Sequence, residues 1–319
     1  MHFGRKQLFW ECNELCASET FPDGLPPGVP KYGSQRIRTR ISAITPNSGP
    51  ITKGPEREAL EIWRSILSLY TRLNLTFGTD KLPALAGIVK HMQPLLGSAY
   101  HIGIWKDSAT LLLGWYCVSG NQRRILPRPV EYRAPTWSWA STDNPITFWL
   151  PFPRSETVFD LKVLEFKATK IGNYPTMYGD SGYLLVEGPL NLVRVVERSV
   201  TFCGKEFTLF KEDAYAPCLD EYTELPVDLY CLPLHHTIIP KNRYPGEYDD
   251  FMSSSVQDGS TYVISFLLLK PRADRLGSYT RCGVWRSADT EKLLCVQNGH
   301  DALCEEFIGL ERGHRIKIF

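Results

Sequence analysis

An excess of charge of either sign is what this 319-residue chain most clearly lacks: 36 Lys and Arg stand against 35 Asp and Glu, a formal net charge of +1. The two signs are interleaved, so there is no electrostatic footprint for nucleic acid or an anionic membrane surface. Apolar runs are short, and none approaches the ~18–20 residues that a bilayer-spanning helix needs. Met1-His2-Phe3-Gly4-Arg5-Lys6 leads into mixed sequence rather than an apolar signal core, which places the chain in the cytoplasm as an expectation.

Motifs of chemistry are missing too. No glycine-rich phosphate loop of the Walker type occurs. Ser138 and Ser141 do not stand in a Gly-x-Ser-x-Gly elbow. His235-His236 is the one His pair, and neighbours on a regular strand point to opposite faces, so the two cannot close on one metal. Asp249-Asp250 and Glu305-Glu306 read as solvated loop charge. A nucleophilic Cys12 or Cys231 would need a histidine partner that nothing in the sequence brings near. The nine cysteines are odd in number and irregular from Cys117 through Cys203, Cys218, Cys231, Cys282, Cys295 and Cys304. That is no secreted disulfide framework. Cys12 and Cys16 would share a face if helical, but no second pair completes a metal site. The cysteines therefore read as small buried hydrophobes. No catalytic residue, cofactor or metal is assigned.

What is present is enough apolar sequence, 43% of residues, for ordinary globular cores, in a length that admits two domains. The chain is organised around Tyr132-Arg133-Ala134-Pro135-Thr136-Trp137-Ser138-Trp139-Ala140-Ser141, with Ile146-Thr147-Phe148-Trp149 close behind. Pro135 holds Ala134 extended, and alternation then predicts a strand with Trp137 and Trp139 on one face. Thr142-Asp143-Asn144-Pro145 is turn chemistry.

Upstream the pattern is helical. Residues 1–22 read as a short strand running into a helical turn, and 23–54 as a Pro/Gly-rich linker carrying Arg36, Arg38 and Arg40. Residues 55–72 form the clearest helix, with Leu60, Trp63, Leu67 and Tyr70 inward and Glu61, Arg64, Ser65 and Ser68 toward water. A second helix follows Asp80 as N-cap and ends at Gln93-Pro94. A third covers 107–117. From Val158 the period changes to two, with a turn at Gly204 and a mobile loop at 240–260. The reading is α+β, an N-terminal helical segment packed on a C-terminal antiparallel β-rich region, barrel- or sandwich-like. Its divisions are 1–54, 55–150 and 151–319.

The Arg133-Ala134-Pro135-Thr136-Trp137-Ser138-Trp139-Ala140-Ser141 string resembles the signature downstream of the HET domain in fungal heterokaryon-incompatibility proteins. Three more stretches match that pattern in order. His2 to Cys12, with Ala17-Ser18-Glu19 and Phe21 to Pro26, resembles the closing segment of the HET domain. Leu75 to Gly87 resembles the helical linker behind it, and Tyr100 to Trp105 with Leu112 to Trp115 the next block. The second half resembles the family's β-rich tail mainly through Tyr279 to Trp285. Met1 falls inside the last block of the HET domain, so the chain reads as the C-terminal portion of such a protein, a truncated paralogue or a late-started gene model.

That resemblance implies a non-catalytic regulatory or interaction region in fungal non-self recognition and programmed cell death, with another protein as partner. No nucleic-acid or membrane partner is expected. Trp10, Glu11, Cys12, Trp137, Ser138 and Trp139 are the family-signature residues, read as structural. The alternative is a ligand-binding module that uses Trp137 and Trp139 as an aromatic platform for a sugar or peptide.

Overall fold

The computed structural model describes residues 2–3, 7–11, 15–26, 55–118, 125–149, 156–170, 178–196, 199–202, 205–208, 217–239, 261–287, 306–309 and 313–319. Several expectations lie outside them: those on Cys12, on the linker beyond residue 26 with Arg36, Arg38 and Arg40, on Gly204, on Cys203, Cys295 and Cys304, on the 240–260 loop with Asp249-Asp250, and on Glu305.

Three short strands, β1 (His2–Phe3), β2 (Leu8–Glu11) and β3 (Cys16–Ser18), make a small antiparallel sheet of their own. Trp10 lies opposite Ala17 and Glu11 opposite Cys16. Where the helical turn was expected, Cys16–Ser18 is a strand, so Cys16 lies on no helix face.

Helix α1 (Pro55–Tyr70) starts on a proline, whose missing N–H costs nothing in a first turn. Leu60, Trp63 and Leu67 recur at helical spacing and are buried. Arg64 departs from the expectation that it faces water: it is only 7% exposed. Two 3₁₀ turns, Gly78–Lys81 and Pro83–Leu85, then lead into α2 (Ala86–Leu96). Asp80 sits inside the first of these turns and caps no α-helix. Pro94 lies within α2 and does not end it; the stop is Gly97, at φ 59°, whose N–H donates to the Gln93 carbonyl.

A tight hairpin follows, β4 (Tyr100–His101) and β5 (Ile104–Trp105). Its two loop residues, Ile102 and Gly103, have φ of 42° and 93°, the left-handed pair that a two-residue hairpin loop requires. The helix expected over 107–117 is a 3₁₀ turn, Lys106–Ser108, a single turn α3 (Ala109–Leu112), and a strand β6 (Trp115–Cys117). Beyond Leu113 and Gly114, Trp115 to Cys117 pair with β7 (Ile146–Phe148), Trp115 opposite Phe148 and Cys117 opposite Ile146. Tertiary pairing overrides a run whose apolar residues fit either period.

The second half is one large, mostly antiparallel sheet. Its strands are β8 (Glu156–Phe159), β9 (Lys162–Lys170), β10 (Tyr178–Gly188), β11 (Asn191–Val196), β12 (Ser199–Phe202), β13 (Lys205–Thr208), β14 (Cys218–Leu219), β15 (Val227–Ile239), β16 (Thr261–Pro271), β17 (Ser278–Ser287), β18 (Glu306–Gly309) and β19 (Gly313–Ile318). The path runs β13-β12-β11-β15-β16-β17-β19-β10-β9, with β14, β18 and β8 paired beside β17, β19 and β15. Among the described strands of this sheet only β17 and β19 run parallel. The path of the described strands is open and closes no barrel, which corrects the barrel-like expectation. The class is α+β with few helices.

Alternation along the strands gives two apolar clusters. Val193, Leu229, Phe266, Leu268 and Trp285 belong to one. Leu232, Leu267, Val284 and Ile316 belong to the other, which also contains Trp63, Trp115 and Trp137.

Candidate functional site

Trp137 and Trp139 are not on a strand. The Ser138 N–H donates to the Pro135 carbonyl at 2.9 Å, and the Ser138 hydroxyl accepts from the Ala140 N–H at 3.2 Å. That side-chain bond caps a 3₁₀ turn, Trp139–Ser141, and competes successfully with extended backbone. The predicted shared face therefore does not exist, and each indole takes its own neighbours.

Trp139 is 1% exposed, and its Nε1–H donates to the Gly103 carbonyl at 2.9 Å. Its ring meets that of Tyr70 edge-on at 6.0 Å. Gly103 has to be glycine: a Cβ there would stand 2.4 Å from Trp139 Nε1. Trp137 is fully buried, edge-on to Phe166 at 5.7 Å, and its carbonyl accepts from Trp115 Nε1 at 3.0 Å. Between them the Ser138 hydroxyl donates to the Ile102 carbonyl at 2.6 Å. Neither indole has a face open to a ligand.

Thr136, at the head of the same stretch, reaches the sheet. Its N–H donates to the Phe319 carbonyl at 3.0 Å, and its hydroxyl accepts from the Arg281 N–H at 2.9 Å. Arg281 on β17 is the charged centre of the joint. Its Nε donates to Asp220 Oδ2 at 2.9 Å and its Nη1 to the Leu113 carbonyl at 2.6 Å, while Nη2 donates to the Trp115 carbonyl. The guanidinium lies 3.4 Å from the centre of the Trp115 ring. Burial lowers the Arg281 pKa, and the Asp220 carboxylate works against that. Arg128 adds a second cation, Nη2 to Asp220 Oδ2 at 2.8 Å, and also donates to the Arg281 carbonyl at 2.9 Å. Asn144 clamps the turn that follows the signature: its Nδ2 donates to the Leu126 carbonyl at 2.8 Å and its Oδ1 accepts from the Leu126 N–H at 2.8 Å.

Lys81 is a further buried cation, beside Trp139 at 6.0 Å from the ring. Burial, with Arg133 adding to it, lowers its pKa to about 8, against the pull of Asp143 at 3.7 Å. The thiols go the other way. Burial pushes Cys117 and Cys218 up to about 12 and Cys282 to about 11, with Asp220 reinforcing each shift. At neutral pH these stay protonated and poorly nucleophilic.

The signature residues do not converge. Trp137, Ser138 and Trp139 belong to the buried joint. Trp10 on β2 is 48% exposed; Phe9, beside it on the strand and so facing the other way, is 39% exposed, and Phe21, beyond β3, 42%. Glu11 closes the same strand. His235 and His236 separate as the strand period dictates, and His236 Nδ1 lies 3.0 Å from both Asp160 carboxylate oxygens. Among the described residues no three His, Cys, Asp or Glu side chains are grouped to hold a metal, and no helix is long and apolar enough to cross a membrane.

Sequence reasoning missed Arg281, Asp220 and Arg128. One signal was available: an arginine inside the apolar run Tyr279 to Trp285 needs a buried acceptor. No family model, curated protein or solved structure matches this chain.

Proposed function

We propose that the chain is a non-catalytic regulatory and interaction region of the heterokaryon-incompatibility type, acting in fungal non-self recognition through contact with another protein in the cytoplasm. Four ordered sequence motifs support this reading. The observation that carries it is the division of labour within those motifs. Ser138 and Trp139 spend their side-chain polar atoms on backbone, whereas Phe9 and Trp10 of β2, and Phe21 beyond β3, stand exposed. Exposed aromatic side chains are ordinary anchors of a protein contact.

The finer architecture belongs to the same proposal: the 55–150 segment is docked on the 151–319 sheet as one body, with Arg281 and Asp220 at the seam.

Expression of this chain alone in a filamentous fungus tests the reading. Normal growth at high expression is the expected result. Cell death that a point substitution within the chain abolishes would overturn it, because the effector activity would then reside here.

A further inference from the structure

Lys81 and Arg133 meet on one carboxylate oxygen beside the Trp-Ser-Trp turn. Lys81 ends the first 3₁₀ turn after α1, and its Nζ donates to the Thr142 carbonyl and lies 3.7 Å from Asp143 Oδ1. Arg133 Nη1 lies 2.8 Å from that same oxygen. The guanidinium passes close over Gly78, where a Cβ would stand 2.6 Å from Nη1. Asp143 is the outer member of the group: its side chain is half-exposed, whereas those of Lys81 and Arg133 are only 7% and 10% exposed.

One edge of that guanidinium is unused. Arg133 spends Nη1 on Asp143, while its Nε–H and Nη2–H, both buried, meet no hydrogen-bond acceptor. Those two groups form the fork that holds a carboxylate through two parallel bonds, and burying them unsatisfied is costly. The neighbouring amine has an altered character. Burial, with the Arg133 charge adding to it, lowers the Lys81 pKa from the ordinary 10.5 to about 8, although Asp143 and the Cys117 thiol pull the other way. A share of Lys81 is therefore neutral and nucleophilic near neutral pH.

We propose that Lys81 is a covalent site for carbon dioxide, carried as a carbamate that the unused edge of Arg133 holds. The lone pair of the neutral Nζ attacks the carbon of carbon dioxide and a C–N bond forms. One C–O π pair moves onto oxygen, and the nitrogen gives up one proton to solvent. The N–H that remains keeps the bond to the Thr142 carbonyl. Arg133 then uses both edges, Nη1 on Asp143 and the Nε–Nη2 fork on the new carboxylate. Carbon dioxide is small and uncharged, which suits it to an amine that solvent barely touches. The inference is independent of the role in non-self recognition.

Chemical trapping on the whole chain decides it. The protein is equilibrated with isotopically labelled bicarbonate at about pH 8, where the Lys81 amine is substantially neutral. It is then alkylated with triethyloxonium, which converts a carbamate to an ester stable enough for peptide mass spectrometry. A labelled ester on the peptide that carries Lys81 is the expected result. Label on the Met1 amine or on surface lysines, with none on Lys81, would overturn the proposal. Lys81→Arg keeps the cation and removes the nucleophile, and it is expected to lose that label. Arg133→Lys keeps the charge and removes the fork, and it is expected to cut the labelled fraction at Lys81 by about tenfold, the worth of one charge-assisted hydrogen bond. Undiminished labelling in a folded Arg133→Lys variant would overturn the role given to the fork. The wild-type result stands whether or not either variant folds.

Discussion

Asp220 is fully buried with two guanidiniums on one oxygen, at 2.9 Å from Arg281 and 2.8 Å from Arg128. Removing the carboxylate leaves both cations without their counter-charge in a desolvated joint. Asp220→Ala is expected to destabilise the fold by about 3–5 kcal/mol, measured by urea unfolding. Asp220→Leu combined with Arg281→Met is expected to cost less than Asp220→Ala alone, because the double change leaves only the more peripheral Arg128 without its partner. His235 gives a prediction in pH. Its folded pKa is about 3 against an ordinary 6.5, so between those values the unfolded chain binds a proton that the folded chain refuses. Its contribution to stability is complete above about pH 6.5 and is lost as pH falls toward 3. His235→Gln is expected to flatten the acid limb of stability against pH relative to wild type; identical slopes would contradict the assigned burial.

The β4–β5 hairpin depends on a single missing side chain. Gly103 combines φ 93° with a Cβ position 2.4 Å from Trp139 Nε1. Gly103→Ala is expected to displace the indole and cost at least 1–3 kcal/mol, roughly the penalty of an overpacked core, visible as a change in near-ultraviolet circular dichroism. By contrast Trp10→Ser, on an exposed strand, is expected to leave stability within ~0.5 kcal/mol. These elements also show where sequence was readable. Helix α1 was legible because Leu60, Trp63 and Leu67 hold one period over sixteen residues. The strand β6 was not, since Leu111, Leu112 and Leu113 run into Trp115 with no period to separate a helical turn from a strand. Pro135-Thr136-Trp137-Ser138-Trp139 has the alternation of a strand, and local hydrogen bonds, from the Ser138 N–H to the Pro135 carbonyl and from the Ala140 N–H to the Ser138 hydroxyl, make it a turn. Arg64 was misplaced because a charged residue on a helix normally faces water, and its burial depends on strands far away in sequence.

At the scale of the molecule, the class was legible and the joint was not. The switch from a 3.6-residue to a 2-residue period near Val158 shows α+β composition, but the open order of the sheet depends on pairings such as β17 with β19, which no local pattern encodes. Arg281 meets Asp220 across 61 positions and Leu113 across 168. Those separations are why the seam escaped a reading that proceeds along the chain. The account makes the Trp-Ser-Trp stretch a structural joint that turns two segments into one body. Urea unfolding of the whole chain tests that most directly, followed at once by tryptophan fluorescence and by far-ultraviolet circular dichroism of the sheet. Trp63, Trp105, Trp115, Trp137 and Trp139 all report from the helical half. The account predicts superimposable transitions with one midpoint, and an Asp220→Ala variant that moves both together. Two separated midpoints, with only one shifted by the substitution, would contradict it.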